Sequence, residues 1–354
     1  MTQAFILIPG GRLPADVASD VLNRCTPEEK QALATIGSAA GQAVEQTLDT
    51  AVYRRAPHLV WLWRVITRRP APPQEAPWRW LALGGREQAT EFWSVDPITL
   101  VDGRVSNVTP ELSFDEFMKF TIAVEPLFMK AGFRMQMWDN IWFGTRKEDW
   151  QVVAAPRMAM TGLGLDELPV EGEAADSARQ LFADVAAVLK DHPVNAEREK
   201  AGLPRVDALW VSGGGHEQLF FPPTLIRSVA SNDAAVRGWA NASSILIERI
   251  GKNTGDWPQA PSGDVIAEAD ELYDAWLRRD WDAWRAALPA VAKKVLDYRE
   301  HAKRFGVDTT LVIAFGDGRS VTLAPEAKSL LKKLFGGAGG LDAREWCVEG
   351  DLAR

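Results

Sequence analysis

Few residues in this chain of 354 have the types and spacing that could do chemistry. His58, His192, His216 and His301 are its only histidines, and no two stand at the short spacing of a metal-ligand pair. Gly213, Gly214 and Gly215 follow a short apolar run, residues 208–211 (ALWV), which reads as a buried strand. A glycine run there makes a sharp turn, and it can also direct successive backbone N–H groups at an anion. His216 beside it is expected as a loop hydrogen bonder ahead of a catalytic base. Asn195 and Arg198 stand three apart, so on a helix they share one side and could grip a phosphate or carboxylate; the plainer alternative is a cap and a surface arginine. Arg237, within SNDAAVRGWANASS, is a similar candidate. Asp317 lies in Gly316-Asp317-Gly318, where an acid ordinarily serves the turn itself. No nucleophilic serine declares itself. Ligand-binding expectations thus fall on Asn195, Arg198, Gly213, Gly214, Gly215 and Arg237, catalytic ones on Asp317 and His216, and metal-binding ones on no residue.

The elements that must position these residues follow from pattern. Residues 4–8 (AFILI), closed by Pro9, Gly10 and Gly11, make a first buried strand ending in a tight loop, a common place for chemistry in an α/β sheet. Residues 26–66 read as helical, and the proline-rich stretch 68–77 (RRPAPPQEAP) ends them. Asp102-Gly103 suits a type I′ turn joining strands over 92–101 and 104–108. Ser113 and Glu116 form a capping box, after which Phe114, Phe117, Thr121, Val124 and Phe128 recur at helical spacing. Strands over 133–138 and 141–146 flank Asp139-Asn140 and complete a ββαββ unit. Helices over 176–190 and 281–305 and a strand over 310–314 follow, and Pro325 opens a last helix before a polar tail. The expected organisation is an α/β core begun by 1–90, an inserted ββαββ subdomain at 91–155, the rest of the core at 156–335, and a tail at 336–354.

Composition narrows the class. A 46% hydrophobic chain of this length can bury a large core, so wholesale disorder is excluded. The net charge of -8, with Lys and Arg scattered, disfavours nucleic acid as a partner. No apolar stretch reaches the roughly 18 residues a spanning helix needs. Cys25 and Cys347 lack CxxC spacing, which fits a reducing cytoplasm. Fifteen tryptophans are expected mainly in the core, each burying a large apolar area.

Residues 190–215, KDHPVNAEREKAGLPRVDALWVSGGG, resemble the segment that archaeal-type cofactor-independent phosphoglycerate mutases share with the bacterial Rpf E type regulatory proteins. Residues 91–101 (EFWSVDPITLV), the helix at 113–131 and the strand ending Trp142-Phe143 resemble the Rpf E type proteins alone. The resemblance implies an alkaline-phosphatase-like mixed sheet with flanking helices and an inserted smaller domain. The mutases use two divalent metals, held by Asp and His at strand ends, to activate a serine. Where that pattern has Asp-Gly, this chain has Pro9, Gly10 and Gly11; where it has Asp-His, this chain has Asp317, Gly318 and Arg319. Arg319 would set a positive charge where a cation should sit.

The resulting expectation is a cytoplasmic, non-catalytic regulatory protein of bacterial type that needs no cofactor. It would act through a protein partner or a small anionic ligand, and a homodimer is allowed. The alternative is a metal-dependent phosphoglycerate mutase or phosphatase with an altered ligand set, the one reading under which a divalent metal is required. A structural module that docks a partner through an aromatic surface is the third.

Overall fold

Alternation along a single strand organises the largest sheet among the described residues. In β1 (Gln3–Leu7), Ala4 and Ile6 face one apolar cluster while Phe5 and Leu7 face another, so the strand is covered on both sides. The computed structural model describes residues 3–36, 51–86, 90–218, 225–248, 263–304, 310–314, 320–323 and 347–348. β1 pairs in parallel with β11 (Asp264–Glu268) and β12 (Thr310–Ala314). The sheet extends through β9 (Ile226–Ala230) to β10 (Leu246–Glu248) on one side and through antiparallel β13 (Ser320–Leu323) on the other. It is the mixed, mainly parallel α/β sheet expected from the sequence.

One face of this sheet carries α1 (Ala15–Asn23), α2 (Pro27–Ile36) and α10 (Trp281–Arg304). Trp284, Leu288, Val291, Val295 and Tyr298 are all buried, a spacing of four, three, four and three that makes one stripe on α10. The other face carries α3 (Pro57–Thr67) and α8 (Ala234–Ala242), where Trp63 meets Trp239 edge to face at 5.1 Å between ring centres. A 3-10 turn at Ala51–Arg55 precedes α3, and short α9 (Tyr273–Leu277) precedes α10. A two-residue parallel bridge joins β2 (Leu13–Pro14) to β14 (Cys347–Val348).

The second sheet is antiparallel, with order β6 (Arg134–Trp138), β7 (Ile141–Arg146), β3 (Glu91–Ile98) and β8 (Ala208–Gly215). Asp139 and Asn140 both take positive φ, 49° and 58°, as the turn between β6 and β7 requires. The other expected hairpin is shorter than its sequence suggests. Only β4 (Leu100–Val101) and β5 (Arg104–Val105) pair across Asp102-Gly103, because residues 91–98 are engaged by β7 and β8 instead. α5 (Phe114–Lys130) begins at the Ser113–Glu116 capping box and buries Phe117, Phe120, Thr121, Val124 and Phe128. Phe114, at the first helical position, lies off that stripe and is 69% exposed. Phe117 stacks on Trp142 at 4.3 Å, and the Trp142 indole N–H donates to the Thr121 hydroxyl at 2.7 Å. α6 (Ala175–Lys190) packs on β8 through Phe182 and Trp210, so this sheet draws both elements from beyond residue 155. Between the two sheets α4 (Ala76–Ala82) anchors Arg79 to Asp96 of β3 by a bidentate pair at 2.9 and 3.1 Å. Of the fifteen tryptophans, Trp63, Trp78, Trp93, Trp142, Trp210, Trp239 and Trp284 are among the largest fully buried side chains. No helix among the described residues is long and apolar enough to cross a membrane.

Candidate functional site

Asn195 and Arg198 do share one side of a helix, α7 (Pro193–Lys200), but that side faces inward. Asn195 is fully buried; its amide donates to the Leu189 and Val206 carbonyls, each at 2.8 Å, and its oxygen accepts the Val206 N–H at 2.9 Å. Arg198, 2% exposed, donates to the Pro204 carbonyl at 2.6 Å and pairs with Glu116 at 2.7 Å. Partial burial pushes the Glu116 carboxyl up, but hydrogen bonds from Ser113 and Arg198 outweigh it and hold the group below its ordinary value. Both predicted ligand-binding side chains thus lock the connection between α6, α7 and β8.

The glycine run is strand where a loop was expected. β8 continues to Gly215, and two residues, Gly213 and Gly214, stand opposite Trp93 alone, which makes a β-bulge. Gly213 takes φ of +64°, donates its N–H to the Ala154 carbonyl at 3.1 Å and accepts from Glu75 at 3.0 Å. A Cβ at Gly214 would stand 2.2 Å from the Trp93 indole. The glycines admit a tryptophan and a bulge; the Gly213 N–H is already bonded and presents nothing to an anion.

His216 lies just past the strand, where its Nε2 is 2.7 Å from Asp149 Oδ1. Together with Gly214 and Gly215 it lines a cavity of about 330 Å³. Arg237, on α8, is half-buried and makes no side-chain hydrogen bond or ion pair among the described residues, but it lines neither this cavity nor the cleft described below. Asp317 and Arg319 lie outside the described residues.

At the carboxyl edge of the parallel sheet the loop after β1 is filled by aromatic side chains. The Trp284 indole donates to the Gly10 carbonyl at 2.8 Å and Trp276 to the Arg12 carbonyl at 2.7 Å, while Trp276 Cβ occupies the space a side chain at Gly10 would need. Beyond β9 and β11, Ser231 donates to Glu268, and Asp233 caps α8 by accepting the Val236 N–H at 3.0 Å. Burial raises Glu268 to about 8 and pushes Glu75, 3% exposed, well above the carboxylate range. His58, fully buried against Tyr273, is lowered to about 3 by burial. Among the described residues no three His, Cys, Asp or Glu side chains converge to hold a metal ion.

A second opening is a cleft of about 1020 Å³ to which five arginines contribute. Arg54 and Arg55 come from the 3-10 turn, Arg104 from the β4–β5 hairpin, and Arg278 and Arg279 from the end of α9. Val52, Val101, Val105, Leu163 and Leu277 supply apolar wall, and Glu167 is the one carboxylate that lines it. Four of the five guanidiniums have partners. Arg55 donates to the Thr161 and Leu277 carbonyls, each at 2.7 Å. Arg104 donates to the Gly162 carbonyl at 2.8 Å and lies 3.5 Å from Glu167. Arg278 pairs with Asp274 and Asp280, and Arg279 with Asp16. Arg54, half-buried, has no hydrogen bond or ion pair among the described residues. Arg279 sits at φ of 55°, a left-handed conformation that costs a non-glycine residue about 1 kcal/mol or more. Sequence reasoning missed this group because its members come from three segments that share no local pattern.

No family model matches the chain. No curated protein matches it either. Among solved structures it is similar to the cofactor-independent phosphoglycerate mutase from Thermoplasma acidophilum, at 13% identity and a TM-score of 0.38, over 92% of this chain and 91% of that one. It is likewise similar to the PH0037 protein from Pyrococcus horikoshii, at 14% identity and a TM-score of 0.43, over 92% and 88% of the two chains.

Proposed function

We propose that this chain is a non-catalytic regulatory protein that binds a small organic anion in the arginine cleft. The observation that carries the reading is Arg54: a half-buried guanidinium in a large cleft, without a partner among the described residues, beside four others already held in place. A guanidinium presents five donors in a rigid fork and suits phosphate or carboxylate. Arg55, Arg104, Arg278 and Arg279 are pre-positioned by carbonyls and carboxylates, so the donors they have left are offered with little ordering cost. The valine and leucine wall gives the carbon part of such an anion an apolar surface. The loop after β1, filled by Trp276 and Trp284, supports a binding role over phosphoryl transfer, which requires charge concentrated at the reacting oxygen.

The reading is tested by calorimetric titration of the full chain with glycerol 3-phosphate and with glycerol, repeated on Arg54→Ala. Saturable binding of the phosphate ester alone, weakened about 10-fold or more by the substitution, is the expected result. Manganese-dependent release of phosphate from the ester, or binding indifferent to residue 54, would overturn it.

A further inference from the structure

We propose that the 330 Å³ cavity beside His216 is a second ligand site, one that takes a small organic ammonium ion on Glu91 and Asp149. Among the described residues no lysine or arginine lines this cavity, whereas Glu91, Asp149 and Glu173 do. Its sign is opposite to that of the arginine cleft, and it stands independently of the proposal made there.

Glu91 supplies the observation that separates a site from a mere group of acids. It is 6% exposed, and only one of its oxygens is engaged: Oε2 accepts the Trp93 indole N–H at 2.7 Å and the Trp150 backbone N–H at 3.0 Å. Oε1 accepts no hydrogen bond among the described residues, and Glu91 lines the cavity. A carboxylate fixed through one oxygen and open at the other is oriented before a ligand arrives. Arg146, close enough to feel the Glu91 charge, does not line the cavity; it donates to the Ala131 and Glu148 carbonyls and lies over the Phe133 and Trp150 rings. Burial raises the Glu91 carboxyl; the bonds from Trp93 and Trp150 and the nearby His216 oppose that rise and Asp149 adds to it, so two carboxylates face one cavity with His216 as the one basic side chain beside them among the described residues.

Asp149 is held in the same way. Its Oδ1 meets His216 at 2.7 Å, and its other oxygen has no hydrogen bond among the described residues. Pro73 and Val153 form an apolar side to the cavity, which suits a short methylene chain behind the charged group, and an ammonium on such a chain is small for the space.

The test is calorimetric titration of the full chain with n-butylammonium chloride at fixed ionic strength, with n-butanol and sodium butyrate as matched controls. Saturable binding of the ammonium alone is expected, reduced about 10-fold by Asp149→Asn and further by Glu91→Gln. Because Glu91 also anchors two tryptophans and its substitution could disturb the sheet, Asp149→Asn, on a half-exposed side chain, decides the matter if the other variant does not fold. Absence of saturable binding, equal binding of butanol, or affinity unchanged in every folded variant would overturn the proposal.

Discussion

Arg198 and Arg54 are each at least half-buried arginines, and they behave as opposites. On α7, Arg198 answers Glu116 and the Pro204 carbonyl, while Asn195 three residues earlier completes three hydrogen bonds to the chain. In the cleft, Arg54 has no such answer among the described residues. The residue type is identical and the local sequence of α7 is the more suggestive of the two. What separates structural from available charge is the remaining hydrogen-bonding capacity, and that is a property of the surroundings.

The contrast can be broken or sharpened by substitution. The largest effect is expected at Arg198→Ala, which strands the Glu116 carboxylate and the Pro204 carbonyl; chemical denaturation should show a loss of about 3–5 kcal/mol. Anion binding in the cleft should be unchanged in whatever fraction remains folded, and a selective loss of binding with intact stability would reverse the assignment of the two arginines.

Gly214→Ala is expected to come next, at about 1–3 kcal/mol by thermal unfolding, because a methyl group there meets the Trp93 ring. A neutral outcome would return the glycine run to a role in binding.

Two buried titrating groups give pH limbs of opposite sign. The unfolded chain ionises Glu268 near 4.5, whereas the folded chain keeps its proton to about 8; stability therefore falls as pH rises through that window, and Glu268→Gln should flatten the fall. For His58 the unfolded chain takes up a proton near 6.5 and the folded chain only near about 3, so stability falls as pH drops through that window, and His58→Gln should flatten that limb. Melting temperatures measured across pH 4–9, a range chosen to span roughly both windows, check both signs. The smallest effect on stability is expected at Arg54→Ala, within about 0.5 kcal/mol, even though its effect on anion affinity should be the greatest of the set.

Much of the architecture was legible in the sequence. The capping box at Ser113, the β6–β7 turn at Asp139-Asn140, and the stripe of Trp284, Leu288, Val291 and Val295 are local signals, read over a few residues, and each appears where expected. The candidate sites were less legible. Asn195 and Arg198 were placed on one side of a helix, but whether that side faces solvent depends on Glu116, 82 residues from Arg198 in the chain. Gly213 to Gly215 signal backbone freedom in any context, and only the position of Trp93 on the facing strand shows that the freedom is used for packing.

Sequence by itself therefore determined local features such as the Ser113 capping box, the Asp139-Asn140 turn and the apolar stripe of α10, since periodicity and capping act between residues a few positions apart. Only the tertiary structure decided which charges remain available, because hydrogen-bonding capacity is consumed by partners distant in the chain. It joined Arg54, Arg104 and Arg279 from three segments into one cleft, and it put Glu91 and Asp149 together in another cavity of opposite charge.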